Sequence, residues 1–235
     1  MTTGDVAPIG TSKSQIPLLL ATVLIVYVGQ MTLSPIIAPL SRRFDMPEWQ
    51  LGVTISAAAV MVVLTSGFWG RRAQSKGFKP VLLAALALAI VTMTLFSGLA
   101  TAGMQGLLAG TGLFLLFVLL RGIGFGAAIA AIPPTAQAYI AEFTPEGPTR
   151  VKGMAGIGAV QGIASILGAI VGGALAGFGL LTPIIVVPVL IGIAMLLVLA
   201  CLHGGAGSRL VESPIRVSPM DKRILPFLVA GFGTF

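Results

Sequence analysis

The chain has 235 residues, of which 56% are hydrophobic and only 9% are charged, and it carries a formal charge of +7. Soluble domains carry about 25% charged residues. This composition therefore excludes an ordinary water-soluble enzyme, a disordered chain and a disulfide scaffold, since the single cysteine, Cys201, cannot form an internal disulfide. The sequence predicts an integral membrane protein.

Six apolar stretches are long enough to cross a bilayer as helices, which takes about 20 residues each. The stretches are continuous rather than alternating, which favours helices over a membrane barrel. We therefore predict an all-α membrane protein, a six-span helical bundle. Its spans are expected at about Gln15–Leu40, Leu51–Gly70, Pro80–Ala100, Gly112–Ala141, Gly153–Gly177 and Leu180–Ala200.

The polar segments divide the chain further. Residues 1–14 read as a cytoplasmic tail, residues 15–201 as the six-span lobe and residues 202–223 as a polar cytoplasmic loop. Residues 224–235 are again apolar and read as the start of a seventh span, too short to cross the hydrocarbon by itself. We therefore expect the chain to be the front half of a longer protein.

The basic residues predict the orientation in the membrane. Of the 14 Lys and Arg residues, Arg42 and Arg43 lie between spans 1 and 2, and Arg121 lies inside span 4. The rest lie in the N-terminal tail, in the even-numbered loops or after span 6. The positive-inside rule then predicts a multi-pass protein of the plasma (inner) membrane with a cytoplasmic N-terminus. Topology accounts for the basic charge, so we expect no nucleic-acid partner.

A short basic turn between spans 2 and 3 contains Gly70, Gln74, Gly77, Lys79 and Pro80. Glycine permits a tight backbone, proline starts a helix, and lysine holds the turn at the cytoplasmic face. This turn resembles the signature loop of the major facilitator superfamily, G-x-x-x-D-R-x-G-R-R-P, with the three Gly and Pro positions matched and the lysine matched in charge. The family's aspartate falls on Gln74, which accepts hydrogen bonds without the ionic contribution. The resemblance implies a gating role for these five residues.

Span 5 contains glycines at positions that let helices approach closely: Gly158, Gly162, Gly168, Gly172 and Gly173. The last three match the core of the family's antiporter signature, G-P-x-x-G-G, in which an alanine here replaces the proline. Generic helix packing is the alternative interpretation.

A second, fainter pattern is a repeat, FDMPE after span 1 and FTPE after span 4. The resemblance implies one lobe of a twelve-span fold, built from two inverted three-helix repeats.

Four intramembrane polar residues are candidates for a substrate or proton pathway: Arg121, Tyr27, Gln30 and Gln161. An arginine at the bilayer centre costs at least about 2.5–3.5 kcal/mol, so Arg121 should face a cavity or a partner. The family has an arginine in span 4 that is linked to proton coupling, about one helical turn away. Snorkelling of Arg121, and interhelical packing of the other three, are the alternatives. No Asp or Glu falls within the six predicted spans, so a coupling carboxylate is expected elsewhere.

The sequence contains no phosphate-binding loop, no H-E-x-x-H and no cysteine–histidine cluster, so we predict no enzyme, no cofactor and no metal site. The resemblance implies a secondary active transporter that exports a small organic compound, with a lipophilic one permitted, by proton antiport through alternating access. The alternatives are an uptake symporter of the same superfamily and a non-transporting six-span membrane subunit. The expected partners are a small-molecule substrate, protons, the lipid bilayer and a missing C-terminal half.

Overall fold

A computed structural model describes residues 15–202. These residues form six long apolar helices, so the all-α prediction of six spans is confirmed. The predicted tail (residues 1–14) and residues 203–235, with most of the central loop and the seventh span, lie outside the described residues. The spans are span 1 (Gln15–Arg43), span 2 (Glu48–Lys76), span 3 (Phe78–Met104), span 4 (Gly110–Phe143), span 5 (Pro148–Ala176) and span 6 (Thr182–Cys201).

Several helices extend beyond their predicted ends, most clearly around the basic turn. The turn between spans 2 and 3 is shorter than the approximate span ends imply, because span 2 continues to Lys76 and span 3 begins at Phe78. Gly77 alone makes the turn, with φ at 89°, a region that favours glycine. Hydropathy identifies only the part of a helix inside the hydrocarbon, which is about 30 Å thick. A helix of 29 residues, such as span 2, is about 44 Å long and projects into the polar zone.

Spans 1 and 4 are both interrupted, whereas span 2, span 3 and span 5 are regular α-helices. In span 1 the α-helix Gln15–Thr32 is followed by a 3₁₀ turn at Ser34–Ile36, which has proline in its first turn. Proline lacks a backbone N–H and disrupts the hydrogen-bond ladder. In span 4 the α-helix Gly110–Phe117 widens to a π-helix at Val118–Gly124 and becomes α-helical again over Phe125–Ile129. After a break it restarts at Ile132, again with proline in the first turn.

The spans pack in a pattern that an inverted repeat requires. Span 1 packs against span 5, and span 2 packs against span 4. Exchanging the two three-helix halves, so that span 1 becomes span 4 and span 2 becomes span 5, converts one of these pairs into the other. The contact between spans 3 and 6 maps onto itself, and the contact of span 1 with span 6 maps onto that of span 4 with span 3. This agrees with the predicted lobe of two inverted three-helix repeats.

The contact between spans 1 and 5 depends on two of the predicted glycines. A methyl group on Gly168 would lie 2.8 Å from the Val28 carbonyl oxygen. One on Gly172 would lie 2.8 Å from Cγ of Pro35 and would also clash with the Thr32 carbonyl group. The structure leaves open space around Gly158, Gly162 and Gly173, which lie on exposed parts of the same helix.

This difference predicts unequal effects of two neighbouring substitutions. Gly172→Ala should lower the free energy of unfolding by about 1–3 kcal/mol, because backbone carbonyl groups of span 1 cannot move aside. Gly173→Ala is the matched control and should leave it unchanged or slightly raised, since alanine favours helix. Unfolding of the full-length gene product in detergent measures both. Equal losses of stability would contradict the packing described here.

Candidate functional site

A cavity of about 250 Å³ lies between spans 1, 2 and 4. We call the two ends of the bundle the Phe44 end, where spans 1–2, 3–4 and 5–6 are joined, and the Gly77 end, where spans 2–3 and 4–5 are joined. The cavity runs from about half-way along span 1, at Gln30, to the Phe44 end, at Met46. Phe96 of span 3 and Ile184 of span 6 also contribute to its lining.

The lining is apolar apart from Gln30, Ser41, Thr54 and Arg121. The hydroxyl groups of Ser41 and Thr54 both donate hydrogen bonds to backbone carbonyl oxygens of their own helices. Ser41 donates to the Ala38 carbonyl oxygen and Thr54 donates to that of Gln50, both at 2.9 Å. The chemistry that this cavity offers a ligand therefore comes from Gln30 and Arg121.

Arg121 lies within the π-helical segment of span 4, and its side chain is part of the cavity wall. Its guanidinium carbon lies 5.0 Å from the centre of the Phe125 ring, a cation–π contact. Among residues 15–202, the side chain of Arg121 forms no ion pair and no hydrogen bond. Short π-helical segments occur frequently at functional sites.

Gln30 offers an acceptor in the same cavity. Its Oε1 atom is buried and has no hydrogen-bond partner in the described part of the chain. A buried polar atom without a partner is costly in an apolar environment. Gln30 and Arg121, two of the four predicted pathway residues, are thus brought together, one as an acceptor and one as a cationic donor.

The other two predicted pathway residues lie elsewhere. The Tyr27 hydroxyl group interacts with the side chain of Gln161, across the contact between spans 1 and 5. Neither residue lines the cavity. Their pairing is what interhelical packing of polar side chains requires, and their role in a pathway stays a prediction.

The sequence reasoning missed how span 4 approaches span 2. A methyl group on Gly126 would lie 2.8 Å from the Ala58 Cα, and one on Gly122 would lie 3.0 Å from the Thr54 carbonyl oxygen. These two glycines bring the backbones close together beside Arg121, and Thr54 and Ala58 line the cavity. The four-residue spacing of these glycines is typical of closely packed membrane helices, and it could have indicated this contact from the sequence.

The residues predicted for gating lie at the Gly77 end, away from the cavity. Gly70 is in the helical part of span 2 with open space beside it, and Gln74 is exposed. Pro80 lies in the first turn of span 3. Lys79 donates from Nζ to the Leu199 carbonyl oxygen at 3.1 Å, joining span 3 to the last turn of span 6. A gating role for these residues stays a prediction.

No group of three or more His, Cys, Asp or Glu side chains within residues 15–202 could hold a metal ion. Six membrane-spanning helices in two inverted repeats, around a cavity with one cationic side chain, define a lobe of a solute transporter. Residues 19–231 match the Major Facilitator Superfamily, and the chain belongs to that family. It is therefore a transporter-family protein rather than an enzyme.

A named relative is similar over most of the chain. The sequence is 29% identical over 218 residues to the tetracycline resistance protein, class G, of Vibrio anguillarum. The alignment covers 88% of this chain and 50% of that protein. The chain thus spans about half the length of the curated relative it matches.

One hydrogen bond beside the glycine contact of spans 2 and 4 can be tested directly. Trp69 of span 2 donates from Nε1 to the Ala127 carbonyl oxygen of span 4 at 2.7 Å. Trp69→Phe should lower the free energy of unfolding by about 0.6 kcal/mol, the average for such bonds in membranes. Trp49→Phe is the matched control, because Trp49 is 60% exposed. Unfolding in detergent measures both, and an equal or larger loss for Trp49→Phe would contradict the assignment.

Proposed function

We propose that the protein containing this chain is a secondary active transporter that exports a small organic compound in exchange for protons. The observation that carries the proposal is the cavity between spans 1, 2 and 4. Within residues 15–202, Arg121 has no counter-ion there and the Oε1 atom of Gln30 has no hydrogen-bond partner. Membership of the Major Facilitator Superfamily supports transport, and the name of the relative, a tetracycline resistance protein, supports export of an organic compound.

The cavity suits alternating access, in which two lobes rock about a site near the middle of the membrane. Its inner limit is about half-way along spans 1 and 4, at Gln30 and Ile129, and it extends past Arg121 towards the Phe44 end. Rocking of this lobe against a second one would expose Arg121 first to one side and then to the other. The proton carrier is an acid outside the described spans or at an edge, such as Glu142.

The orientation is part of the proposal. The basic residues near the Gly77 end support a cytoplasmic position for that end, by the positive-inside rule, in a protein of the plasma (inner) membrane. The cavity then lies in the outer half of the lobe, with the N-terminus in the cytoplasm.

Single cysteines test this orientation. Arg43 is exposed at the Phe44 end and Lys76 is exposed at the Gly77 end. In a Cys201→Ser background, a membrane-impermeant maleimide should label Arg43→Cys in intact cells and Lys76→Cys only after the cells are opened. The reverse pattern would overturn the orientation. Labelling of both variants after lysis controls for intrinsic reactivity.

Everted membrane vesicles test transport and its direction. Vesicles containing the full-length gene product, with an acidic lumen, should accumulate labelled tetracycline or a member of a panel of lipophilic compounds as protons leave. A protonophore should abolish the accumulation, and vesicles without the protein should show none beyond passive uptake. An uptake symporter would instead deplete the lumen of compound under the same gradient, and that result would overturn export.

A further inference from the structure

We propose that the cavity selects amphipathic organic anions, that is, compounds with an acidic group on an apolar body. This proposal rests on the proposed transport function, and it adds the chemical class of the compound that enters the cavity. Arg121 is the single side chain with a full charge among the cavity-lining residues within the described part of the chain. No acidic side chain lines the cavity there.

The acids near the bundle are poorly placed to neutralise Arg121. Within residues 15–202 the Asp and Glu residues lie in the connections or at helix ends, at Asp45, Glu48, Glu142 and Glu146. Beside the cavity, the exposed acids Asp45 and Glu48 are matched by the exposed Arg42 and Arg43. The connection between spans 1 and 2 therefore adds no net charge, and Arg121 determines the sign of the charge that a ligand meets.

The immediate surroundings of Arg121 leave its donors available. The Phe125 ring interacts with the positive charge of the guanidinium group through its π-electrons. This contact does not occupy the N–H groups as hydrogen-bond donors. A guanidinium group has five N–H donors in one plane, a geometry that matches a carboxylate through two parallel hydrogen bonds. Against the apolar lining of this cavity, such a charge-assisted pair is stronger than the same pair in bulk water.

The remaining lining specifies the body of the compound. More than half of the lining residues are leucine, isoleucine or phenylalanine, mainly from spans 1, 2 and 4, and Phe96 and Phe117 offer ring surfaces. A fully hydrophilic anion would lose its hydration against these side chains without compensation. The Oε1 atom of Gln30 can accept a hydrogen bond from a ligand, but it is neutral and does not favour a cation as a carboxylate would.

Three probes of one shape and different charge test the proposal: naphthoate, naphthamide and naphthylmethylamine, with charges of about −1, 0 and +1 at neutral pH. Equilibrium dialysis against the full-length gene product in nanodiscs of neutral lipid, with empty nanodiscs subtracted, measures binding without a proton gradient. Naphthoate should bind about tenfold more tightly than either analogue. Affinity for naphthoate no greater than for naphthamide, or no binding of naphthoate up to millimolar concentration, would overturn the proposal.

Variants assign the selectivity to the cavity. Arg121→Gln should abolish the preference for naphthoate, Arg121→Lys should retain part of it, and Arg43→Gln should leave it unchanged. Gln30→Glu, which is almost the same size, should add a carboxylate to the cavity that contains Arg121, neutralise its charge and abolish the preference for naphthoate. Preference for naphthoate that survives in both Arg121→Gln and Gln30→Glu would overturn the assignment, and thermal unfolding shows that each variant is folded.

The binding experiment tests the charge selectivity and the vesicle experiment tests export, so either proposal can be overturned without the other. If naphthoate binds selectively and no compound moves against a proton gradient, the charge selectivity stands and export is overturned. If compounds are exported and the three probes bind equally, export stands and the anion proposal is overturned. A carboxylate from outside residues 15–202 that neutralised Arg121 would give the second result.

Discussion

The close approach of two pairs of helices is the constraint on which this lobe depends. Lipid chains are as apolar as leucine, so membrane helices gain little from hydrophobic burial and associate through close packing. Gly168 and Gly172 bring span 5 against the backbone of span 1, and Gly122 and Gly126 bring span 4 against that of span 2. The second contact sets the position of the π-helical segment, and with it the place of Arg121 in the cavity wall.

The two glycine contacts are related by the inverted repeat, but their chemistry is not symmetric. Exchange of the halves converts the pair of spans 1 and 5 into the pair of spans 4 and 2. The glycines belong to span 5 in the first pair and to span 4 in the second, and these are not equivalent helices. A close contact requires small residues on only one partner. The fold can therefore be symmetric while the repeat in the sequence is faint, as in FDMPE and FTPE.

The sequence was sufficient for the number and type of the spans, because hydropathy over about 20 residues reports the bilayer directly. It made the turn around Gly77 too long, because polar residues continue a helix beyond the hydrocarbon. It identified Arg121 and Gln30, since charge and amide groups within apolar runs are conspicuous. It could not separate Gln30, which lines the cavity, from Tyr27, three residues away, which meets Gln161. That distinction depends on which neighbour each face of span 1 meets, and helix pairing is not encoded in local spacing.

An arginine inside a membrane protein needs a partner, and where that partner comes from constrains what the lobe can do. Packing within residues 15–202 gives Arg121 an aromatic ring but no counter-charge. A fixed carboxylate in the same lobe would keep the cavity neutral in every state and would give an incoming anion nothing to gain. A charge left without a counter-ion within the lobe must be compensated from outside it, by a bound compound or by another part of the protein. Alternating access can use such an exchange of partners. A partner that binds in one access state and dissociates in the other makes the free energies of the two states differ.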